Sequence, residues 1–140
     1  MSYLLDTNVI SELVKRRRNP GVLDWLASTS RRDHYLSVIT LGEIRRGVRA
    51  LELRNDREQA TRLEGWLVET TASFADRIVP VTVEVAERWG RYEAERPMPA
   101  ADALVGATAA VHRWMLVTRN VKDFEHLDLG ILNPVTDTED

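Results

Sequence analysis

Cysteine is missing from all 140 residues, which excludes disulfides, thiolate metal sites and a cysteine nucleophile together. No stretch approaches the ~20 apolar residues of a membrane-spanning helix, and Met1-Ser2-Tyr3-Leu4-Leu5 meets Asp6 before a signal-peptide core could form. A cytoplasmic chain with no membrane partner is therefore expected. Repeats and low-complexity segments are also lacking. With 44% hydrophobic residues, the chain can bury one core and is too short for two ordinary domains. Lysine is scarce: seventeen of the 19 basic residues are arginine, which suits phosphate contacts but also arises from codon usage.

A net charge of −3 does not by itself favour a polyanion as partner. The distribution is uneven, however. Residues 15–62 hold twelve basic against six acidic side chains, whereas residues 63–140 hold seven against fourteen. Two readings fit: a basic face for a polyanion beside a repelling acidic region, or ordinary solvated helix faces. Residues 15–18, with Arg31 and Arg32, are the candidate polyanion track within the basic half.

Strand-like and helix-like stretches alternate. Tyr3-Leu4-Leu5 reads as a short apolar strand. A helix over residues 9–17 follows, with Val9, Ile10, Leu13 and Val14 on one face, and Asn19-Pro20-Gly21 stops it. The same signals predict helices over 21–28 and 41–53, a long one capped by Asn55 or Asp56, one capped by Thr82, and a small-residue helix over 101–111. Strands are expected at 35–38, 78–81, 114–117 and 131–132, with Pro80 pushing its strand toward a sheet edge or strand end. This alternation predicts the α/β class, a parallel sheet with helices on both faces. Residues 1–135 would form one domain and 136–140 a frayed acidic tail. Trp25, Trp66, Trp89 and Trp114 fall at core or interface spacing, and His34, His112 and His126 form no spaced set.

Four acidic motifs stand where a strand or loop hands over to a helix: Leu4-Leu5-Asp6-Thr7-Asn8, Thr40-Leu41-Gly42-Glu43, Pro99-Ala100-Ala101-Asp102-Ala103 and Thr118-Arg119-Asn120-Val121-Lys122-Asp123-Phe124. Each has a plain explanation. Asp6 can begin an N-cap series, Thr40 and Glu43 have capping-box spacing, Asp102 complements a helix dipole, and Asn120 with Asp123 repeats the cap spacing. In a parallel sheet, however, ligands bind at the carboxyl ends of strands, where three of these motifs fall, while Asp102 opens the small-residue helix. Converging there, the carboxylates would repel one another unless a cation offset them. Oxygen ligands without cysteine or a histidine pair select Mg2+ or Mn2+ over zinc, and such a centre hydrolyses phosphodiesters through a metal-activated water.

The four motifs, in this order and spacing, together with Asn133-Pro134, resemble the PIN-domain ribonucleases, and among them the VapC-type toxins of type II toxin–antitoxin pairs. The resemblance runs nearly end to end. It implies a three-layer α/β/α sandwich around a central, mainly parallel sheet, a homodimer, Mg2+ or Mn2+, endonucleolytic cleavage of RNA, and neutralisation by a small antitoxin in a higher assembly. Carried over residue by residue, the acidic quartet falls on Asp6, Glu43, Asp102 and Asp123, as metal ligands and catalytic groups. Thr7, Asn8, Thr118 and Asn120 would give hydrogen-bonding support, and Arg46 and Arg119 are candidate phosphate contacts. Two alternatives from other classes remain. An aspartyl-phosphate phosphatase would need a second carboxylate two residues after Asp6, where this chain has Asn8. A non-catalytic metal- or RNA-binding module would keep the pocket without turnover.

Overall fold

Two adjacent leucines set the architecture. Leu4 and Leu5 lie in β1 (Tyr3–Leu5) and are both fully buried, though successive strand residues point to opposite faces. Leu4 packs with Val85, Val105, Leu116 and Phe124, and Leu5 with Val9, Ile10, Val22 and Leu36. A strand covered on both sides belongs at the centre of a parallel sheet sandwiched by helices. The computed structural model describes residues 1–137 and has that form.

Five strands, β1, β2 (His34–Ser37), β3 (Ile78–Val79), β4 (Met115–Val117) and β5 (Ile131–Leu132), make one sheet in the order β3-β2-β1-β4-β5, every pairing parallel. β1 aligns Tyr3 with His34 on one side and with Met115 on the other. The chain moves outward from β1 through β2 to β3 and then crosses back to β4. The order therefore reverses beside β1, and a crevice opens at the carboxyl ends of β1 and β4. Seven helices are formed among the described residues: α1 (Thr7–Ile10), α2 (Pro20–Ser28), α3 (Val38–Leu53), α4 (Arg57–Ser73), α5 (Val83–Glu95), α6 (Ala100–His112) and α7 (Val121–Phe124). None is long and apolar enough to cross a membrane. The four tryptophans are partly buried against the two core clusters.

Local chemistry explains most boundaries. Asn19, Asp56 and Thr82 accept from the third residue of the helices they begin, and Pro20 occupies a first-turn position whose N–H would be unused. Pro80 ends β3 after two residues, and β3 is an edge strand. The small residues of α6 let it approach closely: a Cβ on Gly106 would stand 2.9 Å from Leu127 Cδ1.

Two expectations need correction. The helix expected over 9–17 begins at Thr7 under an Asp6 cap, tightens into a 3-10 turn at Ser11–Val14 and stops at Lys15, whose backbone is extended. α3 begins at Val38 rather than Leu41, because the Ser37 hydroxyl takes the Ile39 N–H and wins the cap from Thr40. At the carboxyl end of the described residues, Thr136 is held to Asn19. Its backbone N–H donates to Asn19 Oδ1 at 3.1 Å, and its carbonyl accepts from Asn19 Nδ2 at 2.9 Å. Thr138 to Asp140 lie outside the described residues.

This strap leaves no room at Gly21, where an added Cβ would lie 2.3 Å from the Pro134 carbonyl oxygen, whereas Gly90 in α5 faces open space. Gly21→Ala should lower unfolding free energy by about 1–3 kcal/mol through overpacking. Gly90→Ala should raise it by about 0.5–1 kcal/mol through helix propensity. Paired urea titrations check both signs.

Candidate active site

Asp6 follows β1 directly and caps α1, so the sheet and helix together fix its position at the crevice. It is 4% exposed. Oδ1 accepts from the Thr7 backbone N–H at 2.8 Å; Oδ2 accepts from Thr118 Oγ1 at 2.8 Å and Asn8 Nδ2 at 3.2 Å. Thr118, just beyond β4 and fully buried, has its hydroxyl fully used: it donates to Asp6 and accepts from Asn8 Nδ2 at 3.3 Å and the Asn120 N–H at 3.0 Å. Asn8 Oδ1 in turn accepts the Arg119 N–H at 3.0 Å. The polar ends of β1 and β4 are thereby sewn into one unit.

Glu43 reaches the same place from α3. Thr7 Oγ1 donates to Glu43 Oε1 at 2.6 Å and lies 3.2 Å from the buried Thr40 hydroxyl. Thr40 and Glu43 are thus inside the helix and turned toward α1, so they do not form a capping box. Arg46 approaches Glu43 Oε2 to 3.9 Å and is mostly solvent-exposed, an ion-pair geometry on the helix surface. Asp102 occupies the first turn of α6, half-buried, and among the described residues its carboxylate has no hydrogen bond or ion pair. Asp123, in α7, is exposed, yet its charge is felt at Asp102. The Asn120 side chain caps nothing; only its backbone N–H joins the network.

The electrostatics are those of crowded like charges. Burial pushes the Asp6 carboxyl up to about 6; Asp102 and Glu43 add to the rise, against the lowering effect of the Thr118 and Thr7 hydrogen bonds. Asp102 is likewise raised, first by burial, then by Glu43 and Asp123. Among the described residues, no three acidic or histidine side chains stand at metal-ligand spacing. The four carboxylates converge closely enough to perturb one another without closing on a point. As a donor set they fit a hard divalent cation: all oxygen, mutually repelling, with Asp102 unneutralised.

The basic candidates divide. Arg31 and Arg32 precede β2 and lie at the amino end of the sheet, Arg31 donating to Ser73 Oγ at 2.8 Å, so they do not extend a track from the acidic crevice. Residues 15–18 are exposed and follow the 3-10 turn that begins beyond α1. Beneath them is a residue that sequence reasoning passed over, Glu12, which is 1% exposed. Its signal was a lone acid amid the apolar face of Val9, Ile10 and Leu13, with a basic run three residues on.

The PIN domain family model matches residues 3–129, and the chain belongs to this family. It is similar to VapC ribonuclease Y4jK of Sinorhizobium fredii, 34% identical over 137 residues that span 94% of this chain and 96% of the relative. The crystal structure of FitAcB from Neisseria gonorrhoeae superposes with a TM-score of 0.77 at 37% identity, covering 94% of this chain and 97% of that one. A toxin–antitoxin complex from Klebsiella pneumoniae matches with a TM-score of 0.69 at 28% identity over 95% and 98% of the two chains.

The raised Asp6 carboxyl has a definite pH consequence. Between its ordinary value of 3.8 and about 6 the folded state holds a proton that the unfolded state has released, so stability falls as pH rises through this window and stays lower above it. In EDTA the swing should be on the order of 2–3 kcal/mol. Asp6→Asn should abolish it and match or exceed wild type in stability above pH ~6. Denaturant midpoints measured across the window with both proteins check the sign.

Proposed function

We propose that the protein is a Mg2+- or Mn2+-dependent endoribonuclease, the toxin of a toxin–antitoxin pair. The observation that carries this is Asp6: a buried carboxylate, gripped by three donors and crowded by Glu43 and Asp102 at the carboxyl ends of the two central strands. The similarity to a protein named as a VapC ribonuclease supports RNA as substrate.

Asp6 and Asp102 would hold the metal, with Glu43 as a further ligand or as the base that orients water, and Asp123 completing the pocket from its exposed turn. When bound, the ion would offset the clustered negative charge, neutralise the scissile phosphate and lower the pKa of a coordinated water. Thr118, Asn8 and Thr7 keep Asp6 and Glu43 in register by the hydrogen bonds described, as supporting groups to metal ligands do. Arg119 and Arg46 would meet the phosphate backbone, Arg46 by exchanging its weak contact with Glu43 for the substrate. The position two residues after Asp6 holds an amide, Asn8, whose nitrogen donates to Asp6 and Thr118 and whose oxygen accepts from Arg119, so the second carboxylate that the phosphatase alternative needs is not there.

An antitoxin would anchor in the apolar groove of about 430 Å³ between α2 and α4, lined by Leu13, Leu23, Leu26, Trp66 and Phe74. It would direct a lysine or arginine at the acidic pocket. The similarity to a solved toxin–antitoxin complex supports such a partner. The same reading includes a homodimer, a higher assembly with the antitoxin, and action in the cytoplasm, where the RNA is.

The test measures cleavage of cellular RNA and thermal melting together. Wild type should cut RNA with Mn2+ and stop in EDTA. Asp6→Asn, Asp102→Asn and Glu43→Gln should each lose cutting while melting no lower than wild type. Metal at ten times its Kd should stabilise the wild type by about 1.4 kcal/mol, roughly 3–6 °C in Tm. Active but destabilised variants would return these carboxylates to a helix-capping role. Identical melts with EDTA and Mn2+ would remove the metal.

A further inference from the structure

Glu12 is covered from solvent as fully as Asp6 and has no place in the chemistry above. Its two oxygens serve different segments. Oε1 accepts the Asn19 backbone N–H at 2.8 Å; Oε2 accepts Lys15 Nζ at 2.5 Å and stands 3.8 Å from Arg119 Nη2. A buried carboxylate is expensive, and a purely structural turn would be served as well by an uncharged acceptor. What the charge adds is a hold on two cations from distant parts of the chain.

Both cations remain about half exposed, 47% for Lys15 and 43% for Arg119, so the anion lies below and the positive groups face solvent. Their backbones are fixed as well. The Arg119 N–H is bound to Asn8 inside the acidic network, Arg62 donates to the Val14 carbonyl just before Lys15, and Asn19 is tied to Thr136. The exposed run at residues 15–18 is therefore fastened at both ends, beside the crevice that holds Asp6.

We propose that Glu12 is a positioning residue: from beneath, it sets Lys15 and Arg119 side by side as a cationic rim that seats the RNA phosphate backbone next to the acidic pocket. The inference rests on the ribonuclease reading and adds to it how a polyanion is held against a negatively charged site. Arginine's planar fork suits phosphate, and the rim would contribute affinity rather than chemistry.

Glu12→Gln tests this, because it keeps volume and the acceptor for Asn19 while removing the charge. Lys15 and Arg119 stay solvated, so the variant should fold, checked by a melt close to that of wild type. In a cleavage-blocked Asp6→Asn background, it should bind a labelled single-stranded RNA of mixed sequence about five- to tenfold more weakly, with the slope of log affinity against log salt shallower by about 0.7 for each phosphate no longer neutralised. In the active protein KM should rise with kcat nearly unchanged. Arg119→Ala should reproduce the loss, the double variant should be no worse than either single one, and Glu12→Asp should recover part of it. Wild-type affinity and salt slope in Glu12→Gln, or losses that add fully to those of Arg119→Ala, would overturn the proposal. Failure of the wild type itself to bind and cut RNA would instead overturn the ribonuclease reading beneath it.

Discussion

Negative charge gathered at one end of a parallel sheet is the constraint around which this chain is arranged. Left alone, Asp6, Glu43, Asp102 and Asp123 would turn outward to water and to separate partners. What prevents this at Asp6 is covalent and topological: the residue is the last link between a central strand and a helix, and its carboxylate meets three donors at once. The repulsion is therefore held and not relaxed, and it adds to burial, the larger cause, in raising the carboxyls of Asp6 and Asp102. Stored repulsion at a buried oxygen cluster is also affinity for a cation.

The hydroxyls are as necessary as the acids. Thr118 has one proton and two acceptor positions, and all three are engaged. A serine would keep these bonds but give up a methyl group in a fully buried position. Valine would keep the shape and leave Asp6 short of a donor in a place that water does not reach. Thr7 plays the same part toward Glu43, with a 2.6 Å bond typical of a hydroxyl on a charged acceptor.

Much of the fold was legible because short signals agreed with tertiary structure. Asp56 and Thr82 cap the helices they precede, Asn19-Pro20-Gly21 separates two helical stretches, Pro80 ends an edge strand, and the apolar run of β1 is buried on both faces. The convergence of Asp6 with Thr118 followed from strand ends alone, since parallel strands bring their carboxyl termini to one edge. Where two local signals competed, sequence could not decide. Ser37 and Thr40 are both good caps, and Ser37 takes the role because Thr40 is packed against Thr7. Arg31 and Arg32 look continuous with residues 15–18 as a string of charge, but an intervening helix carries them to the other end of the sheet. Glu12 was not legible because Arg119 meets it only once β1 and β4 have paired, and Asn19 only once the loop before α2 has turned back.

The strand order has a temporal meaning. β1 leaves the ribosome before the other four strands of the sheet, and its pairing with β2 can form early, but the neighbour on its other side is β4, more than a hundred residues later. Until Thr118 has emerged, Asp6 lacks its buried hydroxyl partner and the helix bearing Asp102 has no β4 to support it. Contacts so distant in the chain close late, since the loop entropy must be met before they are rewarded. A nascent chain therefore carries the whole stretch from Asp6 to β4 without an assembled acidic crevice, and the site comes into being only after Thr118 has emerged.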